Sequence, residues 1–380
     1  MKRIKVKDTA VTLLIAVVWF VIGWVANGRF QKTDTALFEQ VLEGLLDHHI
    51  DALPSSRELT YDALRGLVSG IDDPHAAFLE PEMGVRFQQD FNGQTGVTGI
   101  LLELMNGQWV VTVIIPGGPA EQAGLRVGDV VLSLDDVPLT SELTAPEISL
   151  LLRGPADEPA EFVVQRGEER LTMAPIRKAR PLVSEGKMLP GEIAYFAQYT
   201  FTANTPQLVK AVLDDLLARN PKAIIWDLRS NGGGSMNAAQ EILSYFIDDG
   251  LLFLVEVKGG EQRPFRATGN SLVTDIPLIV LVGERTYSSA ETAAVAIREN
   301  ERGILMGSTT FGKGTVQETI PLLDDSMLQY TVAHWLSPSG EWFEGRGVTP
   351  QMTVFDDPET ETDEVLEAAI TYIEEELPDQ

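Results

Sequence analysis

The stretch Pro277-Leu-Ile-Val-Leu-Val282-Gly283-Glu-Arg-Thr-Tyr-Ser288-Ser289-Ala-Glu291 decides how the second half of the chain folds. Its apolar run reads as a strand, Gly283 opens a turn, and a serine followed three residues later by glutamate reads as a helix start. Outward from it, strand patterns at 193–196, 223–228, 251–257, 277–282 and 303–306 are separated by helical patterns at 206–217, 236–246 and from about Ser289. Strands separated by helices predict an α/β core over 179–355, with a linker at 179–190.

Upstream, residues 91–178 change character. Gly93-Gln-Thr-Gly-Val97-Thr98-Gly99-Ile100 leads into a β-branched run at 110–115 and then Pro116-Gly-Gly-Pro-Ala-Glu-Gln-Ala-Gly124-Leu-Arg-Val-Gly128-Asp129. Physically this is strand, tight turn, one-turn helix, glycine stop and strand. The string resembles the PDZ domain. That resemblance implies a peptide added as an extra strand on a sheet edge, with its terminal carboxylate held by the loop Val97, Thr98, Gly99 and Ile100. Residues 33–90 read as helical, with Leu37, Val41, Leu45 and Leu46 at helix spacing, and end in the turn Asp72-Asp73-Pro74-His75. Lone His75 reads as a structural turn residue.

Residues 1–32 carry Lys2, Arg3, Lys5 and Lys7, then an uncharged run from Thr9 to Gly28. About 20 such residues can span a bilayer, and the basic flank keeps that end in the cytoplasm. A cleaved signal peptide competes, but Trp19 to Ala26 offers no clear small-x-small site. Either reading puts the rest of the chain outside the cytoplasm, in a periplasmic setting. Residues 356–380 form an acidic tail holding eleven acids and no Lys or Arg; Val365, Leu366, Ala369, Ile370 and Ile373 recur at helical spacing within it.

The 380 residues carry 29 Lys+Arg against 56 Asp+Glu, a net charge of −27, which excludes ordinary nucleic-acid binding. No cysteine is present, so disulfides, thiolate metal sites and a cysteine nucleophile are excluded, and four histidines leave little for a histidine metal site. No cofactor or metal is expected.

Two motifs are decoys. Gly307-Ser-Thr-Thr-Phe-Gly312-Lys313-Gly314 approaches a phosphate-binding loop, but glycine stands where the magnesium-binding hydroxyl belongs. Ser184-Glu-Gly-Lys187 fits S-x-x-K without the companion motifs. What remains is a serine and a lysine. Ser288 at a strand-to-helix junction lies near helix N–H groups that suit an oxyanion, or else it simply caps the helix with Glu291. Lys313 between two glycines is either an exposed loop lysine or a buried amine able to act as a base. Asp227-Leu-Arg-Ser-Asn-Gly-Gly-Gly234 can aim backbone N–H groups at developing charge, or is a plain glycine turn.

Together these segments resemble the carboxyl-terminal processing peptidases, or tail-specific proteases. The landmarks occur in family order: Gly191-Glu-Ile-Ala-Tyr-Phe, Asp227-Leu-Arg-Ser-Asn-Gly-Gly, the serine segment, Thr310-Phe-Gly-Lys-Gly-Thr-Val-Gln317, Ser337-Pro-Ser-Gly340 and Gly345-Arg-Gly-Val-Thr-Pro350. Asp73-Pro-His75 with Phe78-Leu-Glu-Pro81 matches the segment before the family's PDZ domain. The resemblance implies a multi-domain α/β protein with a crotonase-like serine protease core. It implies Ser288 as nucleophile, Lys313 as general base, Gln317 orienting the amine, and Ser289 and Gly233 supplying oxyanion N–H groups. It implies a serine endopeptidase acting on protein or peptide substrates with free C-termini, and allows an activating adaptor as partner. The serine segment lacks the second serine usual at 290, where Ala stands, so an inactive PDZ adaptor is the alternative.

Overall fold

A computed structural model describes residues 33–376 apart from 92–93, 116, 180–181, 185, 358–359 and 361. The expected membrane anchor lies outside the described residues; among those described, no helix is long and apolar enough to cross a membrane.

Residues 33–70 belong to one compact unit. It contains helices Thr33–His48 and Ser56–Ser69. Ser55 caps the second reciprocally: Glu58 N–H donates to Ser55 Oγ (3.2 Å), and Ser55 N–H donates to Glu58 Oε2 (2.6 Å). Leu37, Val41, Leu45 and Leu46, which predict the first helix, are exposed along it.

The second unit starts at Ile71. Its centre is a six-stranded sheet in the order Lys187–Leu189, Ile193–Ala197, Ala223–Asp227, Leu278–Val282, Ile304–Gly307, Met352–Thr353. The first strand is antiparallel to its neighbour, and the remaining pairings are parallel. Lys187–Leu189 thus falls inside the stretch expected to be linker. The strands follow chain order, so right-handed crossovers place the connecting helices on one face. There Thr205–Leu217, Met236–Phe246 and Ser289–Glu299 bury Val209, Leu213, Ile242, Ala293 and Ile297 with Phe196, Trp226 and Val280 in one core. Strand residues alternate between faces. The opposite set, Ile193, Ile225, Ile279, Leu281 and Met306, is covered by Val365, Ala369 and Ile373 of the helix Glu364–Glu376. The acidic tail therefore roofs the sheet with its apolar stripe.

A second sheet carries the lysine segment. Met327–Leu336 pairs with Thr315–Pro321, with Leu251–Val257 and with Ala77–Leu79. The last strand comes from the region expected to be mostly helical. Its burial with Leu150 and Met327 ties the segment after Asp73-Pro74-His75 into the core.

The PDZ-like region forms a sheet in the order Ile100–Met105, Gln108–Ile114, Val130–Leu134, Phe162–Arg166, Glu169–Met173. Helix Ala145–Leu151 shares its core through Ile148 and Leu151. Asp129 anchors the turn into Val130: it accepts from Arg126 N–H (2.8 Å) and from Arg166 Nε (2.7 Å).

Candidate active site

Adjacent parallel strands deliver the two turns of the site. Ala223–Asp227 ends in the glycine turn, and Leu278–Val282 ends in the serine turn. The turns are stitched together: Tyr287 N–H donates to Asn231 O (2.9 Å), Thr286 Oγ1 to Leu228 O (2.9 Å), and Ser289 Oγ to Gly234 O (2.8 Å). Gly233 has φ +79°, and a Cβ there would lie 2.8 Å from Tyr287 O and 2.9 Å from Ser288 Cβ. Only glycine fits against the serine at this distance.

Ser288 is not an ordinary helix cap. Ser55, Thr144 and Ser235 precede helices in extended conformations, whereas Ser288 holds φ 52° and ψ −118°. A non-glycine residue in such a conformation carries about 1–3 kcal/mol of strain and persists only where its surroundings impose it. The imposing group is Glu291. Its fully buried carboxylate accepts from Ser288 N–H (2.8 Å), Gly312 N–H (2.6 Å), Lys313 N–H (2.8 Å) and Thr310 Oγ1 (2.5 Å). Burial raises its pKa, and these four donors oppose that rise. With donors on every side, the group is satisfied only as a carboxylate. One side chain thereby binds the backbones of the serine elbow and the lysine loop.

The lysine loop is held equally closely. Gly312 has φ +97°, and a Cβ there would lie 2.8 Å from Gly347 N. Gly314 N–H donates to Glu344 Oε2 (2.6 Å), and Gly314 O accepts from Trp335 N–H (2.8 Å) and Trp342 Nε1 (2.9 Å). The 345–350 motif is thus the shelf on which the loop rests. Burial lowers the pKa of Lys313, while the charges of Glu344, Asp73 and Glu291 pull it partly back. No salt bridge engages its amine among the described residues. Gln317, four residues on, is the third residue of the strand Thr315–Pro321, just past a bulge, and donates from Nε2 to Thr315 Oγ1 (3.0 Å) and Thr331 Oγ1 (3.1 Å).

The two N–H groups expected to meet an oxyanion differ from one another. Ser289 is the first residue of its helix, where an N–H has no intrahelical acceptor. Gly233 N–H instead donates to Asn231 Oδ1 (2.8 Å), and Asn231 Nδ2 donates to Gln198 O (3.0 Å). Beside the elbow, Tyr287 stacks on the half-exposed Phe311 with ring centroids 3.9 Å apart.

In the PDZ-like region Val97 ends the strand Thr95–Val97, and Ile100 begins the sheet's edge strand. Between them Thr98 O accepts from Ala120 N–H (3.0 Å) and Gly99 O from Ile115 N–H (2.8 Å). The four loop residues therefore lie at the head of a strand that, among the described residues, is paired on one side only.

Sequence reasoning missed three groups. Glu291 reads as a capping residue, and its second role depends on a loop nineteen residues away. Asp73 and His75 read as a turn, yet Asp73 binds Thr331, and burial, helped by the charge of Lys313, lowers the pKa of His75. Arg229 goes unremarked, but it chelates Asp363 through both terminal nitrogens (2.7 Å each) and also binds Asp227 (2.7 Å). The quoted segments Asp73-Pro-His75 and Asp227-Leu-Arg already contained these residues; only their partners were hidden.

A strained serine and a half-buried lysine whose backbone N–H groups share one carboxylate, with a PDZ-like module earlier in the chain, fit a serine-type peptidase. Comparison with known proteins agrees. Residues 192–354 match Peptidase family S41, and residues 110–166 match the PDZ domain. The chain is 33% identical over 325 residues to the chloroplastic C-terminal processing peptidase of Tetradesmus obliquus, covering 80% of this chain and 69% of that protein. It is 30% identical over 329 residues to the carboxy-terminal processing protease CtpA of Bacillus subtilis (strain 168), covering 86% and 69%. The solved structure of the photosystem II D1 C-terminal processing protease superposes with a TM-score of 0.64 at 29% identity, over 85% of this chain and 87% of that one. The chain belongs to peptidase family S41, among the C-terminal processing peptidases.

Proposed function

We propose that this peptidase cleaves protein or peptide chains through a Ser288–Lys313 dyad, from an extracytoplasmic position anchored by residues 1–32. Neutral Lys313 takes the proton of Ser288 as Oγ attacks the scissile carbonyl. The tetrahedral oxyanion is met by Ser289 N–H and by Gly233 N–H, whose bond to Asn231 must open or be shared. Collapse releases the amine product, which takes the lysine's proton, and leaves an acyl-serine. Lys313 then deprotonates the water that hydrolyses it. Gln317 orients the amine without adding charge; a carboxylate there would hold the lysine protonated. Substrate enters by its free C-terminus, bound as a strand along Ile100–Met105 with its carboxylate at Val97–Ile100.

The observation that carries this reading is Glu291, whose one buried carboxylate holds the N–H groups of both Ser288 and Lys313. A peptide with an apolar free C-terminus tests it. Ser288→Ala, Lys313→Ala and Lys313→Arg are each expected to abolish turnover while still binding the peptide; arginine fails because it does not deprotonate. Wild-type cleavage by any of the three would remove the assignment. A second reading, an enzyme that rests until substrate or an adaptor reshapes the site, is favoured by the Gly233 N–H being engaged with Asn231. It predicts a lag in turnover that disappears on pre-incubation with the activating partner.

A further inference from the structure

Gln317 can orient Lys313 in two opposite ways, by accepting through Oε1 or by donating through Nε2. What decides between them lies far away in sequence. The strand Met327–Leu336 pairs with Ala77–Leu79 at 327–329 and with Leu251–Val257 at 333–336. Thr331 falls between these pairings, and its N–H is taken by Asp73 Oδ2 (2.9 Å). Its hydroxyl lies 3.1 Å from Asp73 Oδ1. An ionised carboxylate only accepts, so Thr331 Oγ1 must donate to it. Its hydrogen is then spent, and toward Gln317 it can only accept. Gln317 Nε2 meets that demand at 3.1 Å and meets Thr315 Oγ1 at 3.0 Å. Both amide hydrogens are thereby committed, and Oε1 is left as the amide's open atom.

We propose that Asp73 is a positioning residue for the reaction: acting through the Thr331 hydroxyl, it fixes the amide of Gln317 so that Oε1 faces the Lys313 amine as an acceptor. An acceptor there holds one amine hydrogen and leaves the nitrogen lone pair for Ser288. A donor would occupy that lone pair and disable the base. The hydrogen-bond geometry is supported by electrostatics. Burial raises the Asp73 pKa, but the N–H groups of Thr331 and His75 outweigh it and hold the carboxyl below its usual range, so it is ionised at neutral pH. The charged groups acting on the Lys313 amine are Glu344, Asp73 and Glu291, with the His75 ring also nearby.

The inference rests on the Ser288–Lys313–Gln317 reading above, and the test separates the two. Turnover of the apolar-tailed peptide is measured for the full chain as a function of pH, together with the rate at which a fluorophosphonate labels Ser288, read by intact mass. Thr331→Val is expected to lower kcat and the labelling rate about tenfold or more, with KM within about twofold. Because the Asp73 charge stays in place, the acid limb of its profile is expected to stay at the wild-type pH. Thr331→Ser, which returns the hydroxyl, recovers the rate. Asp73→Asn loses rate similarly and also moves the acid limb to lower pH, because a negative charge beside the lysine is gone. If Thr331→Val keeps the wild-type rate, or Thr331→Ser is as impaired as Thr331→Val, the relay is wrong. That outcome leaves the dyad intact if Ser288→Ala and Lys313→Ala are dead. Activity in those two variants instead overturns the dyad itself. The two threonine variants decide the matter even if Asp73→Asn does not fold.

Discussion

Glu291 shows how one side chain can serve two purposes. The four donors around its carboxylate come from the serine elbow and from the loop before and at Lys313. Glu291→Gln puts an amide nitrogen against donors that need an acceptor. It is expected to destabilise the fold by about 2–4 kcal/mol in urea unfolding and to reduce turnover about a hundredfold. Retained stability together with retained turnover would show that the elbow and loop hold without it. In the proposed dyad, Lys313 sets the pH dependence. A protonated amine cannot accept the serine proton, so kcat/KM rises with pH as the amine loses its proton. Burial lowers that pKa, so the midpoint of the rise is expected below the free-lysine value of about 10.4. A midpoint at or above that value would mean the amine is solvated and paired in the working enzyme.

At the scale of elements, the alternation of strands and helices from 193 to 306 was legible because each strand is an apolar run and each helix has its own start signal. The serine, the lysine and the glycine turn were legible as types, since each sits in a local pattern. The strand Ala77–Leu79 was not: three residues carry no period, and their pairing with 327–329 is a long-range fact. Nor was the destination of the acidic tail. Its stripe of Val365, Ala369 and Ile373 announced a helix but not the sheet face it covers. Arg229 joins that helix to the glycine turn through Asp363. Burial raises the Asp363 pKa, but hydrogen bonds from Arg229 and Leu366 outweigh it and hold the carboxyl below its usual range. The unfolded chain therefore binds this proton more readily than the folded one. The pair's stabilisation is complete above the ordinary aspartate range and is lost as pH falls through the folded value. Ending the chain before Asp356 removes the whole roof. It is expected to leave the core insoluble or cooperatively unfolded, read by circular dichroism, because each uncovered Val or Ile forfeits about 1.5–3 kcal/mol.

Across the whole molecule, the PDZ-like edge strand and the peptidase core share one unit of structure. The charge of Glu103, on the edge strand Ile100–Met105, helps raise the pKa of Tyr287 next to Ser288, after the larger effect of burial and that of Glu291. The edge strand and the Ser288 elbow are thus within electrostatic reach of each other. Amidating the C-terminus of a substrate peptide is therefore expected to raise KM about tenfold and leave kcat unchanged, measured by steady-state turnover. An equal KM for acid and amide would place substrate capture elsewhere. The Asp73–Thr331 contact bears on how the molecule is born. These partners are separated by 258 residues, and closing so long a loop costs about 5 kcal/mol of chain entropy. The turn carrying Asp73 leaves the ribosome early and waits, unpartnered, until almost the last strand has been made. On the relay proposed above, a nascent chain stalled anywhere before Thr331 lacks the closed frame around its base. Such a chain is expected to be inactive while its unfolded segments are most open to being cut.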